Sequence, residues 1–308
     1  MTERRAITGS WIAAIAISVA FFFAADAYAL RLGTLLAMYV ALASGWNIIG
    51  GMAGYPSFAT AAFFGLGAYA GALVQQKGVP MPLAWSFGAL VPAVAALAIG
   101  WVVLRLRGHY FAIASFAVAI VLRELTTNWT SLTGGGMGVN LPVLQISVIE
   151  QARLFFAAQT TLAAIAAAIS ALVAYSSLGF ALTCIRQNET AAGMLGLDAR
   201  RAKAAAFALS AALAGAAGAI YASSIFYIDP GDVFDVLIAV KPILMAMLGG
   251  AGTVAGPVLG AAVFFGFEQT VWAHFLSIHS GVLGVLVVAL ALFLPRGLLR
   301  WKRAGKAA

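Results

Sequence analysis

The chain has 308 residues, of which 63% are hydrophobic and only 9% charged, with a formal net charge of +8; its mean hydropathy is +0.99. Soluble domains average roughly 45–50% apolar and about 25% charged residues, so this composition excludes a soluble globular fold. The apolar runs are continuous over about twenty residues, the length of a membrane-crossing helix, whereas a transmembrane barrel would alternate in segments of about ten.

The pattern predicts an all-α polytopic integral membrane protein with a single transmembrane domain over residues 1–308. Arg4 and Arg5, the apolar run Trp11–Ala24 and the Ala27-Tyr28-Ala29 triplet have the layout of a cleavable leader. A retained first helix is the reading preferred, because the charge topology balances with it in place. Span one is expected over 9–24 and span two over 33–49, followed by the glycine- and proline-bearing break GGMAGYPS at 50–57. Spans three, four and five are expected over 58–74, 82–104 and 109–125, with a polar loop TSLTGGGMGVNLP at 130–142. Span six is expected over 152–178, then a basic segment over 179–205. Span seven is expected over 206–227, an acidic loop at 229–235, span eight over 236–248, a second glycine-rich break GGAGTVAGP, and span nine to about 267. Span ten is expected over 281–294, ahead of a basic tail at 295–308.

Ten spans with both termini in the cytoplasm place Arg4, Arg5, Arg105, Arg107, Arg186, Arg200, Arg201, Lys203, Arg296, Arg300, Lys302, Arg303 and Lys306 inside, 13 of 18 basic residues. Basic residues gather in cytoplasmic loops of membrane proteins, so the net charge calls for membrane lipid and no nucleic acid. Cys184 is the one cysteine, which leaves no internal disulfide.

The basic segment is the longest soluble-looking stretch between spans. Ala191, Ala192, Met194, Leu195 and Leu197 share a helical face, and Gly193 and Gly196 interrupt it, so a short helix, a turn and a second helix are expected. Such a basic, amphipathic loop suits docking to a soluble partner on the cytoplasmic surface. Candidate lining residues of a path through the membrane are Asn47, Tyr110, Ser115 and Lys241. Lys241 sits in mid-span beside Pro242, where it either pairs with an acid such as Glu268 or faces a wet path. Gly252, Gly256 and Gly260 recur every four residues, the small-xxx-small pattern of tight helix packing. The two breaks and the runs after them, GGMAGYPSFATAAFFGLGA and GGAGTVAGPVLGAAVFFGF, look alike, and interrupted helices in both halves of a transporter often flank its path. No GxxxxGK[ST] motif or Cys/His cluster with metal spacing is present, and the spans hold no paired carboxylates or Ser/His/Asp set, so an enzyme or an ATP-binding chain is not expected.

The segments ALASGWNIIGGMAGYPSFATAAFFGLGAYAGAL, LRGHYFAIASFAVAIVLRELTTNWTSLTGGGMGVNLP, IRQNETAAGMLGLDARRAKAAAFALSAALAGAAGAIYA, MLGGAGTVAGPVLGAA and LFLPRGLL resemble, in order, the permease subunits of branched-chain amino acid ABC importers of the LivM type. The resemblance implies a non-catalytic permease of the type II importer class in a bacterial inner membrane. It implies pairing with a second permease, usually a different chain, and with two ATPase subunits that bind ATP and Mg, this chain carrying no cofactor. A periplasmic solute-binding protein would deliver a small amino acid or related solute. It also implies that Arg186, Glu189, Ala191, Ala192, Gly193, Leu195 and Gly196 couple the permease to the ATPases, with Glu189 contributing charge to the docking surface. Two positions depart from the family pattern: Gly193 stands where an acidic residue is usual, and Lys241 where a small or hydroxyl residue is usual. The substrate is therefore widened to small amino acids, amides and carboxylates. The competing readings are a stand-alone secondary transporter or channel and a membrane-embedded structural or enzymatic subunit.

Overall fold

The computed structural model describes residues 21–23 and 25–274. Most of the first expected span, the tenth span and the basic tail lie outside the described residues.

Ten helices of six or more residues order the described chain: α1 (Ala27–Trp46), α2 (Thr60–Gln76), α3 (Met81–Val103), α4 (His109–Asn128), α5 (Val148–Ala174), α6 (Ser177–Gln187), α7 (Glu189–Met194), α8 (Ala199–Ile225), α9 (Val236–Gly249) and α10 (Gly256–His274). Helix α1 continues into a wider π-helical turn over Asn47–Met52. Among the described residues, five segments are long and apolar enough to cross a membrane: Ala27–Met52, Met81–Val103, His109–Asn128, Val148–Ala174 and Ala199–Ile225. A two-residue antiparallel ladder joins Val139–Asn140 to Tyr227–Ile228 at one end of the bundle.

Several expected boundaries move, and α1 begins at Ala27, six residues ahead of the expected 33. Span six stops at Ala174, and α6 begins afresh at Ser177, whose predecessor Ser176 accepts a hydrogen bond from the Gly179 amide. The span expected from 206 begins at Ala199, because Asp198 caps it by accepting from the Arg201 amide at 3.0 Å. Ser147 and Glu150 start α5 with a capping box.

Helix α8 is the central post, packed against α2, α3, α1 and α5. Water cannot satisfy backbone groups in the hydrocarbon layer and supplies no hydrophobic force between helices there, so close van der Waals contact must. Gly67 on α2, Gly88 on α3 and Gly215 on α8 provide it. A Cβ on Gly67 would collide with the Gly215 backbone, and one on Gly215 would collide with the Gly88 carbonyl and the Pro92 ring. Toward the ladder end, buried Gln75 on α2 and Trp85 on α3 both donate to the Ser223 hydroxyl on α8, at 2.6 and 3.0 Å. The same hydroxyl donates to the Ala219 carbonyl, so it is fully used.

The three-glycine series meets a correction. Gly256 and Gly260 lie in α10 and press against Gly250 and Met245 backbone carbonyls. Gly252 is not in a helix: it turns between α9 and α10 at φ +84°, a conformation that any Cβ would strain. On the outside, Leu90, Val94 and Trp101 of α3 and Ile113, Ile120 and Leu125 of α4 are exposed, the apolar surface a lipid or partner chain covers.

Substituting Gly67→Leu should force α2 off α8 and lower the midpoint of thermal unfolding in detergent, with a cost of about 1–3 kcal/mol or more. A Gly193→Leu control, where the space beside the Cα is open, should leave the midpoint unchanged.

Candidate functional site: the short helix and the two glycine breaks

Helix α7 has six residues, too few to be stable alone. Its start is fixed by Asn188, whose side-chain oxygen accepts from the Thr190 and Ala191 amides at 3.0 and 3.1 Å. Its inner face is fixed by two residues. Ala192 is buried, and the Glu189 carboxylate enters a cluster with Lys203 of α8, Tyr55 of the first break and Arg107 of the loop after α3. The Lys203 ammonium uses all three of its protons: to Glu189 Oε1 at 2.7 Å, to the Tyr55 hydroxyl at 3.1 Å and to the Leu104 carbonyl at 3.1 Å. Tyr55 donates to Glu189 Oε2, and Arg107 Nε lies 3.3 Å from the same oxygen. Lys203 is 3% exposed, so an ion that would be costly to bury is here completely paired.

Burial raises the Glu189 pKa, but the hydrogen bonds from Lys203 and Tyr55 and the charges of Lys203 and Arg107 outweigh it, and the net direction is down. Burial first, then the bond to Glu189, push the Tyr55 phenol up, so it remains a donor.

The carboxylate of Glu189 therefore faces inward and does not contribute charge to the outer surface. That surface is made by Ala191, Gly193, Met194, Leu195 and Gly196, all exposed, with Met194 and Leu195 at 84% and 74%. The space beside Gly193 is open, which keeps this face flat.

Next to α7, the two glycine-rich breaks meet. The Asn47 amide donates to the Thr253 carbonyl at 2.9 Å and accepts from the Gly252 amide at 2.7 Å. Arg186, at the end of α6, donates to the Gly51 carbonyl at 2.6 Å and packs its stem against Gly54. Arg186 thus connects the segment before α7 to the first break, and Asn47 connects the first break to the second.

Of the four path candidates, Asn47 is fully buried in this joint. Ser115 is fully buried, accepting from the Phe58 amide at 2.9 Å and donating to the Ala112 carbonyl, so it terminates a free N–H ahead of α2. Tyr110 is 74% exposed at the start of α4. Lys241 pairs with Glu268 at 2.6 Å, between α9 and α10. The four do not converge on one channel within the described residues.

Two groups escaped the sequence reading. Lys203, Tyr55 and Arg107 were visible only as two cytoplasmic bases and a break residue, because their pairing with Glu189 depends on tertiary structure. A cavity of about 500 Å³ at the ladder end, among α1, α5 and α8, is walled in part by Arg31, Gln151, Phe155, Gln159 and Tyr221. Its helices are adjacent only after folding, and no local motif marks it.

A bundle of long apolar helices with a short helix at one end has the build of a polytopic membrane component. The chain matches, over residues 28–291, the family model of the permease component of branched-chain amino acid transport systems, and it belongs to that family. It is 28% identical to the high-affinity branched-chain amino acid transport system permease protein LivM of Escherichia coli K12, covering 95% of this chain and 75% of that protein. It is 24% identical to the corresponding protein LivH of Salmonella typhimurium, covering 86% of this chain and 92% of that one. No solved structure matches the chain. It is a permease subunit and not an enzyme.

Substituting Lys203→Met should cost about 3 kcal/mol, the low end for a broken buried pair, since Tyr55 and Arg107 still face the carboxylate. Hydrogen exchange at amides 190–197 should accelerate while that of α3 stays slow, and unchanged exchange at 190–197 would count against the anchoring role. The pH dependence has a definite sign. A carboxylate with a lowered native pKa stabilises fully above the ordinary value of about 4.3 and loses that contribution as pH falls through the lower native value. Protection of α7 from exchange, corrected for intrinsic rates, should therefore be constant from about pH 5 to 8 and collapse only in stronger acid.

Proposed function

We propose that this permease serves a binding-protein-dependent ABC importer in a bacterial inner membrane. Its solutes would be branched-chain or other small amino acids, or related amides and carboxylates. A second permease chain, two ATPase subunits and a periplasmic solute-binding protein complete the assembly. ATP and Mg are bound by the ATPases. The whole chain forms one transmembrane domain of ten helices with both termini cytoplasmic. The gathering of Arg105, Arg107, Arg186, Arg200 and Arg201 around α7 supports this orientation, since that end would be cytoplasmic by the positive-inside rule.

The observation that carries the coupling assignment is the geometry of α7. Glu189 and Ala192 hold it to the bundle, and Met194 and Leu195 point away from it, as helix-in-groove docking to a soluble motor requires. Movement of the ATPases would then reach the spans through two routes. One runs from Glu189 through Lys203 into α8, and the other from Arg186 through Gly51 and Asn47 into both breaks. Closure of the motor becomes rigid-body rocking of the spans and alternating access.

The test is co-purification. The tagged chain extracted in mild detergent from its native host should bring down ATPase subunits and a second permease, identified by mass spectrometry. The double substitution Met194→Glu, Leu195→Glu should weaken ATPase capture by about 2 kcal/mol or more, roughly thirtyfold, as for an interface hot spot. It should leave capture of the second permease and thermal stability unchanged. A chain recovered alone that moves solute in liposomes without ATP would instead be a secondary carrier.

A further inference from the structure

The basic end of the bundle carries two charges that no carboxylate answers. Arg105, just past α3, and Arg200, in the first turn of α8, flank Trp101, with their guanidinium carbons 5.7 and 3.5 Å from its ring centroid. The two cationic centres therefore lie no further apart than the sum of those distances, about 9 Å. Neither is in an ion pair among the described residues. The nearby carboxylates are taken, Glu189 by Lys203 and Arg107 and Asp198 by Arg201. Like charges this close repel, and the indole ring, which attracts cations to its face, offsets part of that. A bound anion would offset the rest. Donors for it are available: Arg105 spends its Nε on the Trp101 carbonyl at 3.1 Å, which leaves the two terminal nitrogens of its fork.

Trp101 also closes an apolar stripe. Leu83, Phe87, Leu90, Val94, Leu97 and Trp101 follow one another along α3 at alternating steps of four and three, and each is 46–60% exposed. That spacing keeps them on one helix face. From Trp101 back to Leu90 the helix rises about 16 Å, close to half of a hydrocarbon core about 30 Å thick. A tryptophan at the end of such a run suits the level where hydrocarbon gives way to headgroups.

We propose that Arg105, Trp101 and Arg200 form a site for the headgroup phosphate of one anionic phospholipid, whose acyl chains lie along Leu97, Val94 and Leu90. The phosphate sits between the two guanidinium groups, whose paired N–H donors match its oxygens. A carboxylate from a soluble partner would meet the same charges, but a soluble partner cannot reach the stripe that leads away from them into the membrane. The bound lipid ties the end of α3 to the start of α8, beside the Leu104 carbonyl that accepts from Lys203. The site goes beyond the importer reading and needs no solute, ATPase or second permease.

The experiment is native mass spectrometry of the full chain released from detergent, titrated with phosphatidylglycerol or with phosphatidylcholine of the same acyl chains. The two lipids share the phosphodiester and differ in net charge. One phosphatidylglycerol should be held roughly tenfold or more tightly than phosphatidylcholine. The double substitution Arg105→Gln, Arg200→Gln should abolish that preference. Arg200→Gln alone, at an exposed position, serves the same purpose should the double variant fail to fold. Lys77→Gln with Arg123→Gln removes two exposed charges from the opposite end of the described bundle and should leave the preference intact. In thermal unfolding, phosphatidylglycerol should raise the midpoint more than inorganic phosphate at about 10 mM, because a bare anion makes no contact with the stripe. Equal retention of the two lipids, a preference undiminished in a folded Arg200 variant, or an equal rise with inorganic phosphate would each overturn the proposal. So would a complex co-purified with a second permease from which the lipid is absent, since that partner would then cover the stripe. None of these results touches ATPase capture by α7, so the site and the importer reading fail separately.

Discussion

A six-residue helix cannot hold its own shape, and the shortest ionic contact that fastens it to this molecule is the pair between Glu189 and Lys203. The pair works because it is complete. Each proton of the ammonium has an acceptor, and both carboxylate oxygens have donors. Take away one partner and the remaining charge sits half-buried against apolar helices, an arrangement far less favourable than never having had charges there. The cluster also fixes position across the chain. Glu189 belongs to α7, Lys203 to α8, Tyr55 to the first break, and Leu104 and Arg107 to the end of α3 and the loop after it. Displacing α7 therefore moves either all of these together or none.

The joint beside it follows similar logic with neutral groups. A glycine-rich break in a membrane helix frees backbone N–H and C=O groups that lipid cannot satisfy. Asn47 answers both requirements of the second break with one side chain, and Arg186 takes a carbonyl of the first. The breaks thus become a joint whose open hydrogen bonds are closed by residues from other segments. Gly252 completes the fit in two ways: its positive φ makes the turn, and the absence of a Cβ leaves room for the Arg186 guanidinium. The four-residue spacing from Gly252 to Gly260 therefore mixes two different jobs, turning and packing, which sequence periodicity cannot separate.

The architecture was legible where composition and period speak directly. Continuous apolar runs located α2 to α5 to within a few residues but placed the starts of α1 and α8 six and seven residues late, and basic residues marked the end that carries α7. The short helix, turn and second helix between 189 and 225 were legible from Gly193, Gly196 and the apolar face. The side toward which each residue points was not. Glu189 reads as a surface charge because a charged residue in a polar loop usually is one, and only the approach of α8 and the first break turns it inward. Ser115 and Asn47 read as polar groups suited to a path, but each answers a backbone requirement created by a distant segment. Gln159 gave no signal at all, since one glutamine in an alanine-rich helix is unremarkable until α1 and α8 close around it.

The paired charge of Lys241 and Glu268 shows how far the physics carries the division of labour. An ionisable group between membrane helices is costly and usually functional, yet this one is neutralised by its neighbour across α9 and α10. One Glu268 oxygen is bonded to the ammonium, and the other is buried without a partner. The pair therefore fastens the second break's two helices to each other near Tyr39 of α1, whose ring lies 5.5 Å from the ammonium. A fastening there and the Asn47 joint at the break itself hold α9 and α10 at two heights. Two fixed points along a helix pair suppress independent tilting, so under the proposed coupling a push at α7 would be passed on as rotation of a body and not as bending of single helices. That restraint is built from a small number of polar contacts because lipid makes each unsatisfied alternative costly.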